Sequence, residues 1–100
     1  MIKHIVLFKV KEFESDVEKQ EALDKMKDQL LALEPIIDEL KFIEVGLNHE
    51  LNSANYDLCL TTHFESMDDL KVYANHPEHL KVVDYVKTIA VQRACVDYKY

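Results

Sequence analysis

The sequence predicts an α+β domain built as strand, helix, strand, strand, helix, strand, and three observations carry that prediction. Segments with a period of two alternate with segments whose apolar residues recur every three or four positions, the signatures of half-buried strands and amphipathic helices. The helical segments open on capping signals and close near proline. The chain has 100 residues with one glycine and two prolines, so regular elements fill it and long loops do not.

Residues 2–11, IKHIVLFKVK, read as the first strand. Ile2, His4, Val6, Phe8 and Val10 share one face, and Lys3, Ile5, Leu7, Lys9 and Lys11 the other. Both faces are apolar in the middle. A sheet covered on one side only alternates cleanly between apolar and polar residues, so this strand is expected to be covered on both.

Ser15-Asp16-Val17-Glu18 has the form of a capping box, with Ser15 as N-cap and Glu18 reaching back. The helix it opens carries Leu23, Met26, Leu30 and Leu33 as one stripe. Pro35 is expected to end or bend it, with Ile36, Ile37 and Leu40 continuing a buried path. Residues 40–48 and 56–65 read as two strands joined by the polar segment 49–55. In the second of these, Tyr56, Leu58, Leu60, Thr62 and Phe64 share a face opposite Cys59, Thr61 and His63.

Ser66-Met67-Asp68-Asp69 starts a further helix with acid in its first turn, as the helix dipole favours. It is expected to break at His76, because proline disfavours helical angles in the residue before it. Pro77 then fits the first turn of a new helix, whose buried residues are expected to be Leu80, Val83, Val86 and Ile89. Residues 91–99 form the last strand, with Val91, Arg93, Cys95 and Asp97 on one face and Gln92, Ala94, Val96 and Tyr98 on the other.

This order is that of the ferredoxin-like split βαβ fold, whose helices cover one face of a four-stranded antiparallel sheet. The other face needs cover of its own, since monomers rarely expose so large an apolar patch. The expectation is an isologous homodimer in which two sheets close into a dimeric α/β barrel. The whole of residues 1–100 forms one domain.

Bulk properties exclude several functions. A formal charge of −7 disfavours nucleic acid and anionic membrane surfaces as partners. No apolar run is long enough to span a bilayer, and the N-terminal residues lack a signal-peptide layout, so the expected location is cytoplasmic. Cys59 and Cys95 belong to no CxxC pair and are expected to be buried free thiols. No Gly-rich phosphate loop, GxSxG or dinucleotide fingerprint is present.

The chemistry-bearing stretch is Tyr73-Ala-Asn-His76-Pro77-Glu78-His79. His79 falls in the first turn of the new helix, where the dipole disfavours imidazolium. A neutral imidazole near a phenol is a plausible acid–base pair. The competing reading makes Tyr73 a core ring with its hydroxyl at the surface and His79 a backbone-bonded turn residue. His76 reads chiefly as a cap or pre-proline residue, and His4 as a buried hydrogen-bonded histidine or a group beside a pocket. His76 and His79 lie three apart, but catalytic zinc takes three protein ligands and no motif supplies a third. The expectation is therefore no metal and no cofactor.

The opening MIKHIVLFKVK, Phe64-Glu65-Ser66 before a helix, and Tyr73 followed by His76-Pro77-x-His79 together resemble the stress-responsive dimeric α/β barrel (Dabb) family over essentially the whole chain. The resemblance implies the same ferredoxin-like subunit and dimeric barrel. One relative, the plant polyketide cyclase olivetolic acid cyclase, uses a tyrosine and a histidine that match Tyr73 and His79 by motif position, with a strand-one histidine matching His4. That resemblance implies His79 as the base of an aldol-type cyclisation and Tyr73 as the group that hydrogen-bonds the enolate oxygen. Around Lys25-Met26-Lys27 this chain lacks the aromatic lining which that enzyme uses for a long alkyl chain. Three functions follow as expectations. The first is a homodimer holding a small, largely apolar organic molecule in the barrel, near His4, Val6, Phe8 and His76. The second is a cyclase or proton-transfer enzyme using Tyr73 and His79. The third is a non-catalytic protective assembly with no pocket.

Overall fold

The computed structural model describes residues 1–100. Its elements are β1 (Ile2–Val10), α1 (Asp16–Leu31), β2 (Phe42–Leu47), β3 (Leu58–Phe64), α2 (Met67–Asn75), α3 (Pro77–Ile89) and β4 (Ala90–Lys99). The strands form one sheet in the order β2-β3-β1-β4, and every pairing is antiparallel. This is the ferredoxin-like βαββαβ fold. β1 is an interior strand, paired along both edges, and its apolar helix-facing residues are buried while Ile5 and Leu7 on the other face are only partly so.

The even-numbered residues of β1 face the helices: Ile2, Val6, Phe8 and Val10 are all buried. Leu58, Leu60, Thr62 and Phe64 of β3 join them, as do Ile43 and Val45 of β2. α1 contributes Leu23, Met26 and Leu30 to the same core. The Tyr85 hydroxyl of α3 donates to the Ala22 carbonyl of α1 at 3.0 Å, tying the two helices together.

Local expectations hold in most places and fail in instructive ones. The Ser15 hydroxyl accepts from the Glu18 N–H at 3.2 Å, but the return bond of the capping box does not form. α1 ends at Leu31 with Ala32 as C-cap, short of Pro35. The chain then turns so that Leu33, Ile37 and Leu40 stay buried while Ile36 is exposed. In α3 the buried face holds Val82 and Ile89, and Leu80 is exposed. Both corrections have one cause. Several apolar residues compete for the inward face, and packing on the sheet, which local spacing does not encode, selects among them.

The opposite face of the sheet carries Ile5 and Leu7 flanked by Val96 and Ala94. At one end Phe42, His63 and Tyr100 stack in sequence, with ring centroids 4.5 and 4.9 Å apart. Val96, Tyr98 and Phe42 are substantially exposed. No helix covers this face.

One buried polar contact holds the fold together far from the Tyr73–His79 stretch of α2 and α3. Asp57, just before β3, is 2% exposed. Its carboxylate accepts from the Val10 N–H at 2.8 Å and pairs with Lys19 Nζ of α1 at 3.2 Å. Lys19 also donates to the Leu51 carbonyl. The backbone of Asp57 bonds to Phe8 and Asn48, each at 2.8 Å. One residue thus joins β1, α1 and the β2–β3 loop.

Candidate functional site

The helix break at His76 builds the site. His76 has extended backbone angles and is at once the C-cap of α2 and the N-cap of α3. Its Nδ1 accepts from the Glu78 N–H at 3.1 Å, with Pro77 at the first helical position. The turn directs His79 back over α2. His79 Nδ1 bonds to the Ala74 carbonyl at 3.0 Å. A carbonyl only accepts, so Nδ1 carries the proton and Nε2 of the neutral ring keeps its lone pair.

The rings of Tyr73 and His79 lie 4.4 Å apart, centroid to centroid. Tyr73 also packs on Phe64 at 5.1 Å. Its side chain is buried, and its hydroxyl has no hydrogen-bond partner in the chain. It is the one buried side-chain polar atom in that condition. A surface-reaching hydroxyl, the competing expectation, is therefore excluded.

Both side chains line a cavity of about 500 Å³ between the sheet and helices α2 and α3, with the Tyr73 hydroxyl sealed within its wall. Eleven of the fifteen lining residues are hydrophobic. The remaining four are His4, His79, Lys87 and Arg93, so the wall carries no carboxylate in a chain whose net charge is −7. Val6 and Phe8 form part of the floor. The cavity lies on the helix side of the sheet, within one subunit, rather than against the outer face that a second sheet would cover. His76 does not line it; its side chain is occupied as a helix cap, which corrects its expected place among ligand-contacting residues.

Electrostatics keep the pair in defined states. Burial lowers the His79 pKa below its ordinary 6.5, and the nearby His4, His76 and Arg93 push the same way against the Ala74 hydrogen bond. His79 is thus a neutral ring with an available lone pair at neutral pH. Burial drives the Tyr73 phenol far up, so it stays protonated and acts as a donor. A neutral acceptor on the wall of an apolar space can take a proton from a bound molecule, and the phenol behind it can hydrogen-bond the oxygen that becomes negative once the wall shifts to bring its hydroxyl into reach.

His4 approaches from the sheet. Its Nδ1 is hydrogen-bonded to the Asp97 carboxylate of β4, its cross-strand partner. A carboxylate accepts, so Nδ1 carries the proton of this bond. Asp97 was not singled out from the sequence as a site residue. The signal was present in strand alternation, which puts Asp97 on the same sheet face as His4. Cys59 and Cys95 are both free thiols, but Cys59 is only half-buried and Cys95 is exposed, against the expectation that both are buried. No helix is long and apolar enough to cross a membrane.

Comparison with known proteins agrees with the fold and motif. Residues 2–100 match the stress responsive A/B barrel domain, Dabb. The chain belongs to this family. Among Dabb relatives, one stress-response A/B barrel domain-containing protein of Arabidopsis thaliana is 37% identical over 84 residues, covering 83% of this chain and 30% of its own length. A second protein of that description from the same plant is 27% identical over 101 residues, covering 98% of this chain and 46% of its own length. The chain thus spans less than half of either plant protein. Among solved structures, a dimeric protein of unknown function and ferredoxin-like fold from Bacteroides fragilis is 36% identical, with a TM-score of 0.90 covering 99% of this chain and 95% of that one. A hydroxynitrile lyase from Passiflora edulis shares the fold at 18% identity and a TM-score of 0.79, covering 97% of this chain and 90% of that one.

Proposed function

We propose that this Dabb protein is a homodimer that binds a small, largely apolar organic molecule in the cavity between its sheet and helices α2 and α3. The observation that carries the reading is the Tyr73 hydroxyl, buried in an apolar wall without a partner. A buried donor left unbonded costs on the order of 1–3 kcal/mol, and a ligand oxygen that displaces the cavity wall over the sealed hydroxyl would recover it. The outer sheet face supports the dimer, since its apolar strip has no cover within the subunit and the Bacteroides fragilis relative is described as dimeric. A thermal-shift screen of small organic metabolites, followed by crystal soaks of the hits, tests the binding. Ligands with an apolar body and a single oxygen acceptor are expected to raise the melting temperature and to show the acceptor at Tyr73. A panel without a stabilising compound overturns the reading.

A second reading, a cyclase or other proton-transfer enzyme, is favoured by the states of the two groups. His79 Nε2 would abstract a C–H proton beside a carbonyl, and Tyr73 would hold the oxygen as charge develops on it. Loss of turnover of a bound keto compound in His79→Ala, with its binding retained, is the expected outcome. Unchanged turnover removes His79 from the chemistry. The third expectation, a protective assembly without a pocket, is disfavoured by the cavity itself.

A further inference from the structure

A second cluster shares His4 with the cavity wall and extends from it along β4. His4 and Asp97 face each other across β1 and β4. Cys95 stands two residues before Asp97 and therefore on the same face of β4. Cys95 Sγ is 3.5 Å from His4 Nδ1 and 3.6 Å from Asp97 Oδ1. Three donor atoms of three kinds thus converge from two neighbouring strands.

Their spacing has a chemical meaning. Tetrahedral zinc bonds sulfur at about 2.3 Å and imidazole nitrogen or carboxylate oxygen at about 2.0–2.2 Å. Those lengths put any sulfur–nitrogen or sulfur–oxygen edge of the tetrahedron at about 3.5 Å. Both sulfur edges of the cluster already have that length. The third edge, from Nδ1 to Oδ1, is closed by a hydrogen bond and widens to about 3.4 Å when a metal replaces the proton.

We propose that His4 Nδ1, Cys95 Sγ and Asp97 Oδ1 form a three-ligand site for a borderline divalent cation, zinc above all, with the fourth position open to water. Thiolate sulfur selects against magnesium and calcium, which take oxygen ligands. Thiolate and carboxylate together neutralise the 2+ charge, so the Arg93 guanidinium on the same face meets a neutral centre. The site is reachable, because Cys95 is exposed and the Asp97 side chain is 31% exposed. Loading balances simply. The thiol releases one proton to solvent, and the imidazole proton moves from Nδ1 to Nε2.

The experiment is a Co²⁺ titration of the reduced, chelator-treated full chain, followed by zinc displacement. The expected result is one cobalt per chain with a thiolate-to-cobalt charge-transfer band, abolished by zinc and absent in Cys95→Ser. Cys59→Ser keeps the band. Zinc affinity falls in Cys95→Ser by more than the roughly 10–100-fold that loss of an outer-shell partner costs. Cys95 does not line the cavity, so hits from the metabolite screen still bind this variant. No thiolate band in the parent chain, or a band that survives Cys95→Ser, overturns the proposal while leaving the cavity reading untouched.

Discussion

Asp57 and Tyr73 are equally buried, each 2% exposed, and they are treated in opposite ways. The Asp57 carboxylate has a backbone N–H and the Lys19 ammonium as partners inside the subunit. The Tyr73 hydroxyl has none. Asp57 sits where β1, α1 and a loop must be joined. Tyr73 sits on a cavity wall. The contrast separates polar burial that the subunit satisfies itself from polar burial that it leaves open, as the proposed function requires. Where the chain needs a buried polar group for itself, it completes its hydrogen bonds.

The largest test acts on the satisfied end. Asp57→Ala leaves the Val10 N–H without a partner and the half-buried Lys19 ammonium with only the Leu51 carbonyl, and is expected to lower stability by about 3–5 kcal/mol in chemical denaturation. A loss below about 1 kcal/mol would erase the distinction between the two ends. Val96→Glu comes next. It leaves both buried groups alone and places a charge on the outer sheet face, twice per isologous dimer. Sedimentation is expected to show a monomer with near-native helicity, and an intact dimer would move the interface elsewhere.

Tyr73→Phe sharpens the comparison from the other side. Removing an unpartnered hydroxyl is expected to leave stability unchanged or raise it by up to about 1 kcal/mol, while weakening the cavity ligand about tenfold. A loss of stability without a loss of affinity would make Tyr73 another Asp57. The smallest effect is the pH response of His79. Its folded pKa lies below 6.5 because of burial, with His4, His76 and Arg93 adding to it and the Ala74 carbonyl opposing. The folded chain thus binds fewer protons than the unfolded chain between the two pKa values. The contribution of His79 to stability, and its capacity as a base, are full above 6.5 and decline as pH falls through the lower, folded value. An NMR titration of the His79 ring checks this, and a midpoint at or above 6.5 contradicts it.

The contrast also bears on what was legible in the sequence. Strand faces, caps and the break at His76-Pro77 are local, and they could be read directly. So could the pairing of Tyr73 with His79, because seven consecutive residues carry it. The inward face of α3 could not, since Leu80, Val82, Val83, Val86 and Ile89 offer more apolar positions than one face holds and only the sheet decides among them. Asp57 was invisible for a different reason. Its partners Lys19 and Val10 are distant in sequence, and nothing in a lone aspartate before a strand announces an ion pair. Asp97 and Cys95 were placed on the correct face, but their convergence on His4 needed the register of β1 against β4. His76 belonged to a legible motif, yet its role was split. The motif showed a turn, and only geometry showed that the turn consumes the imidazole.

The alternation of β1 has a consequence for how such a protein changes over generations. His4, Val6 and Phe8 address the cavity, and Ile5 and Leu7 address the opposite face. Two inheritances are thus interleaved in nine consecutive residues, and a substitution falls on one or the other. Under the proposed function, ligand preference would drift through the even positions while the mode of assembly was preserved through the odd ones. A lineage built on this strand can keep one quaternary architecture while its members diverge in chemistry.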